Sequence, residues 1–170
     1  VLLPEVPFEL YGANGLCAHL ENRLQRRGHA VICVAEGAGQ EILQKDSDKQ
    51  YDASGNVKLA DIGAYLKEKI QEYFKQKKIE INLKYIDPSY MIRSAPAVPN
   101  DSIYCTLLGQ NAVHAGMAGK TDLVIGQWSN IYTHVPVEVA ISKRKRIDPH
   151  SRFYSSVLDA TGQPFAMINE

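Results

Sequence analysis

The sequence has no long apolar run, few cysteines and no excess of charge of either sign. Lysine plus arginine and aspartate plus glutamate both number 19, so the formal net charge is zero. A neutral chain gives no electrostatic reason to bind nucleic acid or an anionic membrane, although a local basic site stays possible. No apolar stretch approaches the roughly 20 residues of a membrane span, and no basic start followed by apolar residues indicates a signal peptide. We therefore expect a cytoplasmic protein with no nucleic acid or membrane partner.

The three cysteines, Cys17, Cys33 and Cys105, are odd in number, widely separated and set among apolar neighbours. This pattern predicts buried thiols in a reducing compartment and argues against a disulfide framework. No histidine stands at a metal-ligand spacing from a cysteine. The sequence therefore predicts no metal site among its own residues.

The sequence does contain an alternation of helical and strand patterns. Leucines at 16, 20 and 24 share one face of a helix that Gly28 is suited to end. Helices are predicted over 13–27, 56–78, 102–119 and 151–159, strands over 29–35, 79–86, 122–128 and 134–140, and loops over 37–56 and 87–100. Asn100, Asp101 and Ser102 are the candidate N-caps of the third helix.

This order predicts an α/β fold, with a Rossmann-like three-layer α/β/α architecture and a mostly parallel sheet. No repeat or low-complexity linker divides the chain, so residues 1–170 are predicted to form one domain with a peripheral tail over 143–170. The "KRKR" run in that tail is interpreted as solvated surface. Ligands of such folds bind at the carboxyl ends of strands, which directs attention to the loops after Ala35, Ile86 and Trp128.

One segment, "HAGMAGKT", ends like a phosphate-binding P-loop. That motif needs a glycine five positions before Gly119, where His114 stands. It must also follow a strand and open a helix, so that main-chain N–H groups face the phosphate. Here a predicted helix comes first and a strand follows. We therefore predict that Gly119 ends a helix, with Lys120 near the negative end of its dipole.

The segment "VAEGAGQE" places a carboxylate, Glu36, between small residues at the end of a predicted strand. Small residues let a ligand approach the main chain closely, and a carboxylate accepts hydrogen bonds from hydroxyls such as those of a sugar. An ordinary turn with a solvated glutamate explains the same pattern. Both interpretations stay open on the residues alone.

The segment "LKYIDPSYMIRSAP" carries Lys84, Tyr90 and Arg93 at another predicted sheet edge. An arginine offers two parallel donors, a lysine a point charge and a tyrosine a neutral donor, which together suit a phosphate group. Charged groups on exposed loops are also often only solvated. These residues are therefore a candidate phosphate clamp with a plain surface as the alternative.

Taken together, "VAEGAGQ", "YIDPSYMIRS" and the neighbouring segments resemble the 6-phosphofructokinases, above all the branch with plant, trypanosomal and many bacterial enzymes. The resemblance runs from Leu2 to about Val139 and implies a partial phosphofructokinase fold. It implies that Glu36 meets hydroxyls of fructose 6-phosphate, and that Lys84, Tyr90 and Arg93 handle the 6-phosphate. Many bacterial members have Arg and His where this sequence has Lys84 and Tyr90, so one bidentate fork is lost.

The resemblance also implies the reaction and the partners. Members of the family transfer a phosphoryl group from ATP or pyrophosphate to the 1-hydroxyl of fructose 6-phosphate in glycolysis, with Mg²⁺ bound to the donor. The family supplies the residue at Lys84 from a neighbouring subunit, which implies a homo-oligomer, a dimer or a tetramer. The resemblance leans toward ATP as the donor.

The family's Gly-Gly-Asp, Thr-x-Asp-x-Asp and Met-Gly-Arg motifs precede the segment that corresponds to "LLPE". We therefore expect the catalytic Asp and the Mg²⁺ ligands upstream of Val1, no catalytic residue within these 170 residues, and no kinase activity from the isolated chain. The alternatives are a non-catalytic sugar-phosphate-binding regulatory subunit and an unrelated nucleotide-binding α/β domain.

Overall fold

The computed structural model describes residues 1–43 and 59–169, which fall into two compact units. The first unit comprises Val1–Ile86 and Arg146–Glu170, and the second comprises Asp87–Lys145. Most of the predicted loop over 37–56 and the start of the helix predicted from 56 lie outside the described residues. The helices are α1 (Leu16–Arg27), α2 (Gln40–Leu43), α3 (Ile62–Gln76), α4 (Ser89–Ser94), α5 (Pro99–Met117), α6 (Val137–Ile141) and α7 (Arg152–Thr161), and the strands are β1 (Leu123–Trp128) and β2 (Ile131–Pro136).

The first unit is built on α1 and α3, both of which the apolar periodicity predicts. Helix α1 ends at Gly28, whose φ of 71° is left-handed and whose N–H bonds to the Leu24 carbonyl. Helix α3 begins after Asp61, whose side chain accepts a 2.9 Å hydrogen bond from the Ala64 N–H. Each fully buried leucine, isoleucine or phenylalanine of these helices contributes about 1.5–3 kcal/mol. The buried apolar positions of the two helices are Leu16, Cys17, Leu20, Ile62, Leu66, Ile70 and Phe74.

Segments far apart in sequence complete this core. Leu2 and Val34 form a parallel bridge, and Phe8 and Met167 form another. Residues of the predicted tail contribute as well, since Tyr154 on α7 packs with Leu3 and Val6 in a second cluster. The prediction of one domain over 1–170 with a peripheral tail stays a prediction.

The α/β class is confirmed, whereas the two strands predicted over 29–35 and 79–86 are not formed in the described residues. The first contributes only its bridge to Leu2. In the second, half-buried Ile79, Ile81 and Leu83 alternate with exposed neighbours, as in a strand, but no neighbouring strand pairs with this segment in the described ranges. The apolar pattern fixes which side chains point inward, whereas a strand also needs a neighbouring backbone.

The β-sheet found within the described residues lies in the second unit. It is an antiparallel β1–β2 hairpin whose pairing runs from Leu123↔Pro136 to Trp128↔Ile131. Its turn residues, Ser129 and Asn130, have φ of 48° and 65°, as a two-residue type I′ turn requires. β1 matches the prediction. The strand predicted over 134–140 is wrong in part, because the second strand already starts after this turn and α6 begins at Val137.

The region around α4 and α5 also differs from the prediction. The loop predicted over 87–100 contains α4, because its prolines flank the helix and do not interrupt it. Helix α5 begins at Pro99 with Val98 as its N-cap, ahead of the predicted caps Asn100–Ser102. Proline suits the first helical position, where no N–H is needed.

The three cysteines differ in their exposure to solvent. Cys17 is buried as predicted, whereas Cys33 and Cys105 are exposed, and all three are free thiols. Cys105 is exposed because α5 buries only Ala115.

Within residues 1–43 and 59–169, no helix has both the length and the apolar character to cross a membrane.

Candidate functional site

Glu36 lies at the corner of a tight turn. The Ala38 N–H donates to the Ala35 carbonyl at 2.9 Å, which leaves Glu36 and Gly37 as the two central residues. The Glu36 side chain is exposed to solvent. The turn thus presents a carboxylate to solvent directly after the extended segment that ends at Ala35.

The turn is anchored on both sides. The Ala35 N–H donates to the Leu2 carbonyl at 3.0 Å, and Ala38 is completely buried. Gly39 has a φ of 65°, and a Cβ there would lie 2.9 Å from Cζ of Phe8. Only glycine satisfies both the left-handed backbone and this close approach. The main chain that carries Glu36 is therefore held tightly against the core.

Gln40 is a residue that the sequence analysis did not single out. Its side-chain amide is buried, and Nε2 donates to the Glu36 carbonyl at 3.0 Å. The same amide bonds twice to the main chain of Ala60. A glutamine directly after "EGAG" was the available signal, but its partner at Ala60 is not visible from local pattern.

Lys84 lies on the extended segment that follows α3, and its side chain is exposed. The next residue fixes this segment, since the Tyr85 hydroxyl donates to Oδ1 of Asp61 at 3.1 Å. The Tyr85 ring covers Gly63, where any Cβ would collide with it. Lys84 thus emerges beside a well-anchored tyrosine at the start of α3.

Tyr90 and Arg93 lie three residues apart on α4, so they share one face of the helix. Both side chains are exposed, Tyr90 to 80 %. The pKa of the nearby Asp87 carboxyl is lowered, chiefly by the Ser89 main-chain N–H, with the positive charge of Arg93 a smaller cause. The structure brings these two residues of the candidate phosphate clamp together, whereas Glu36 and Lys84 belong to the first unit.

The "HAGMAGKT" segment ends a helix, as predicted. The Gly119 N–H bonds to the Gly116 carbonyl and the Lys120 N–H to the Ala115 carbonyl, which together form a Schellman motif. Gly119 has the left-handed φ of 72° that this motif requires. The Lys120 Nζ lies 3.0 Å from Nδ1 of His134. The helix therefore precedes the glycine, in the opposite order to a P-loop.

No three side chains of His, Cys, Asp or Glu converge within the described ranges to hold a metal ion. No metal-binding role is therefore assigned to the side chains of these ranges.

Comparison with known protein families covers the segments that carry the candidate residues. The family model for phosphofructokinase matches residues 1–116. That range holds both units' candidate residues, Glu36, Lys84, Tyr90 and Arg93. The chain belongs to the phosphofructokinase family. The resemblance expected from "VAEGAGQ" and "YIDPSYMIRS" is therefore confirmed.

Relatives from three lineages agree. The chain is 49% identical to the ATP-dependent 6-phosphofructokinase of Borreliella burgdorferi, over 99% of this chain and 39% of the relative. It is 47% identical to chloroplastic ATP-dependent 6-phosphofructokinase 5 of Arabidopsis thaliana, over 96% of this chain and 30% of the relative. Against the ATP-dependent 6-phosphofructokinase of Trypanosoma brucei brucei the values are 40%, 94% and 32%. The chain thus spans about a third of the length of these relatives.

Proposed function

We propose that this chain forms the fructose 6-phosphate-binding part of an ATP-dependent 6-phosphofructokinase. The family match over residues 1–116, which includes all four candidate residues, carries the proposal. The enzyme that contains the chain would transfer a phosphoryl group to the 1-hydroxyl of fructose 6-phosphate in glycolysis. It would act in the cytoplasm as a homo-oligomer with the three-layer fold, with this chain as one sugar-phosphate-binding domain.

Two kinds of contact hold the substrate in this proposal. Glu36 accepts hydrogen bonds from sugar hydroxyls, which its position at a solvent-facing turn corner supports. Arg93 donates two parallel hydrogen bonds to the 6-phosphate and Tyr90 adds a neutral donor, which their shared face on α4 supports. Lys84 contributes a point charge to the site of a neighbouring subunit, where its single ammonium cannot form a bidentate fork.

These residues orient the sugar and do not activate it. In-line phosphoryl transfer depends mainly on positioning and on electrostatic stabilisation of the transferred group. Mg²⁺ on the nucleotide would neutralise charge on that group. We assign no residue of this chain as the base that accepts the proton of the 1-hydroxyl or as a ligand of the metal.

The donor is assigned as ATP in preference to pyrophosphate. The bacterial, plant and trypanosomal relatives are each named as ATP-dependent enzymes. If the protein that contains this chain lacked the family's Gly-Gly-Asp and Thr-x-Asp-x-Asp motifs, the chain would instead belong to a regulatory subunit that binds sugar phosphates.

Titration calorimetry with fructose 6-phosphate tests the proposal on the 170-residue chain. We expect binding by the unmodified chain, and we expect Glu36→Gln to weaken it by roughly tenfold or more, as for a lost hydrogen bond to a charged group. Glu41→Gln is the matched control, since Glu41 is exposed on the same loop-helix segment. Absence of binding, or equal effects of both changes, would contradict the proposal.

A further inference from the structure

We propose that Gln40 is a positioning residue that holds the turn bearing Glu36 in register with the start of α3. The inference rests on the proposed function, because it assigns a purpose to the location of the Glu36 carboxylate. It extends that function by naming a residue that touches no substrate and still controls the geometry of the sugar contact.

The Gln40 amide joins two segments that lie 20 residues apart in sequence. Nε2 donates to the carbonyls of Glu36 and Ala60, each at 3.0 Å. Oε1 accepts from the Ala60 N–H at 3.1 Å. Both N–H groups and the carbonyl oxygen of one side chain are thus used, and all three bonds are made to main chain.

Burial of the Gln40 side chain makes its three hydrogen bonds important for the local structure. Gln40 is the one polar side chain that is buried within residues 1–43 and 59–169, with 8 % of its surface exposed. A buried amide without partners is costly, so the site favours the single arrangement in which all its bonds are made. An ionised glutamate cannot donate a hydrogen bond, and a methionine has neither the two N–H donors nor the carbonyl acceptor of an amide. Glutamine alone among side chains of this length therefore makes all three bonds.

The three hydrogen bonds of the Gln40 side chain, called the Gln40 clamp from here on, connect the turn to the start of α3. Ala60 precedes Asp61, which caps α3 through the Ala64 N–H and also accepts from the Tyr85 hydroxyl. The turn that bears Glu36 is therefore tied to the same helix start that anchors the segment of Lys84. Displacement of a substrate-positioning group by about 1 Å can reduce a rate by about a hundredfold, so such a tie has functional weight.

Amide hydrogen exchange tests the clamp itself. Gln40→Met keeps the length of the side chain and removes every hydrogen-bonding group. We expect the Ala60 amide to exchange at least about tenfold faster in Gln40→Met, because its acceptor is Oε1 of Gln40. Gln71→Met on the exposed side of α3 is the control and should leave Ala60 unchanged. Unchanged protection of Ala60 in Gln40→Met would overturn the clamp.

A double-mutant cycle tests the positioning role. Gln40→Met should raise the dissociation constant for fructose 6-phosphate roughly tenfold, and should have almost no further effect in a Glu36→Gln background. A general loss of structure would weaken binding equally in both backgrounds, and that result would overturn the inference. If the unmodified chain binds no fructose 6-phosphate, the proposed function fails together with the positioning role, whereas the exchange result still decides whether the clamp exists.

Discussion

The hydroxyl of Tyr73 donates a 2.8 Å hydrogen bond to Oε2 of Glu21 and so joins α3 to α1, which lie 52 residues apart at these positions. The Nζ of Lys77 lies 3.5 Å from the same carboxylate oxygen. Tyr73 also stacks on Tyr11, with 6.3 Å between the ring centroids. One phenol therefore connects the two principal helices of the first unit.

Tyr73→Phe should lower the free energy of unfolding by about 1 kcal/mol, because the ring stays and only the hydrogen bond to Glu21 is lost. Urea unfolding at neutral pH measures the difference. Tyr65→Phe on the same helix is the control, since its hydroxyl makes no hydrogen bond within the described residues. Equal stability of Tyr73→Phe and the unmodified chain would show that this bond contributes nothing.

Gly39 and Gly28 provide a matched pair for the turn near Glu36. Both have left-handed φ, but a Cβ on Gly39 would meet Phe8 and Ile62 at 2.9 and 3.0 Å, whereas one on Gly28 meets nothing within 4 Å. Gly28→Ala should cost about 1 kcal/mol for the backbone alone. Gly39→Ala should cost about 1–3 kcal/mol more because of overpacking. Thermal unfolding of both variants measures the difference, and equal losses would contradict the close approach.

We predict that ionisation of the Cys17 thiol lowers the stability of the fold at alkaline pH. Burial raises the pKa of its thiol from 9.0 to about 11, so the folded state holds the proton more tightly than the unfolded state does. The contribution of the protonated thiol to the free energy of unfolding is therefore complete below pH 9 and is lost as the pH rises from about 9 to about 11. At 1.36 kcal/mol per pKa unit, the loss is at most about 3 kcal/mol.

Urea unfolding at pH 8 and at pH 11 checks this pH dependence in the unmodified chain and in Cys17→Ala. The variant keeps every tyrosine and lysine, so the difference between the two pH dependences isolates the thiol. We expect a smaller decline in Cys17→Ala. An identical decline would show that Cys17 does not hold its proton more tightly when folded.

Sequence periodicity was sufficient for those parts of the fold whose causes are local. The apolar faces of α1 and α3 and the glycine ends at Gly28 and Gly119 follow from neighbouring residues alone. The segments 29–35 and 79–86 failed as strands, because strand formation depends on a partner backbone elsewhere in the chain. α6 was missed because Val137–Ile141 has the same β-branched composition as a strand.

The candidate site divides in the same way. The segment "VAEGAGQ" left two roles open for Glu36, a sugar contact and a solvated turn residue. The structure places Glu36 at an exposed turn corner, and its contact with a sugar stays a prediction. The spacing of Tyr90 and Arg93 placed them together once α4 formed, although the prolines had suggested an irregular loop. Gln40 was not found, since its partner Ala60 lies 20 residues away and no short-range pattern links the two.

The purified 170-residue chain is expected to have no kinase activity. In the proposed function the catalytic aspartate and the metal ligands are not among the residues of this chain, so sugar binding alone should not lead to transfer. A coupled assay for ADP formation with ATP, Mg²⁺ and fructose 6-phosphate measures this. Turnover above the uncatalysed rate would contradict the assignment of the catalytic residues.

Arg93 is the residue assigned as the main donor to the 6-phosphate in the proposed function. Titration of fructose 6-phosphate into the unmodified chain, Arg93→Ala and Arg144→Ala by calorimetry tests it, because both changes remove one positive charge from the second unit. We predict that Arg93→Ala loses measurable binding, whereas Arg144→Ala stays within about twofold of the unmodified chain, since an exposed charge outside the site acts only through weak, screened interactions. Binding by Arg93→Ala at the affinity of the unmodified chain would contradict the account.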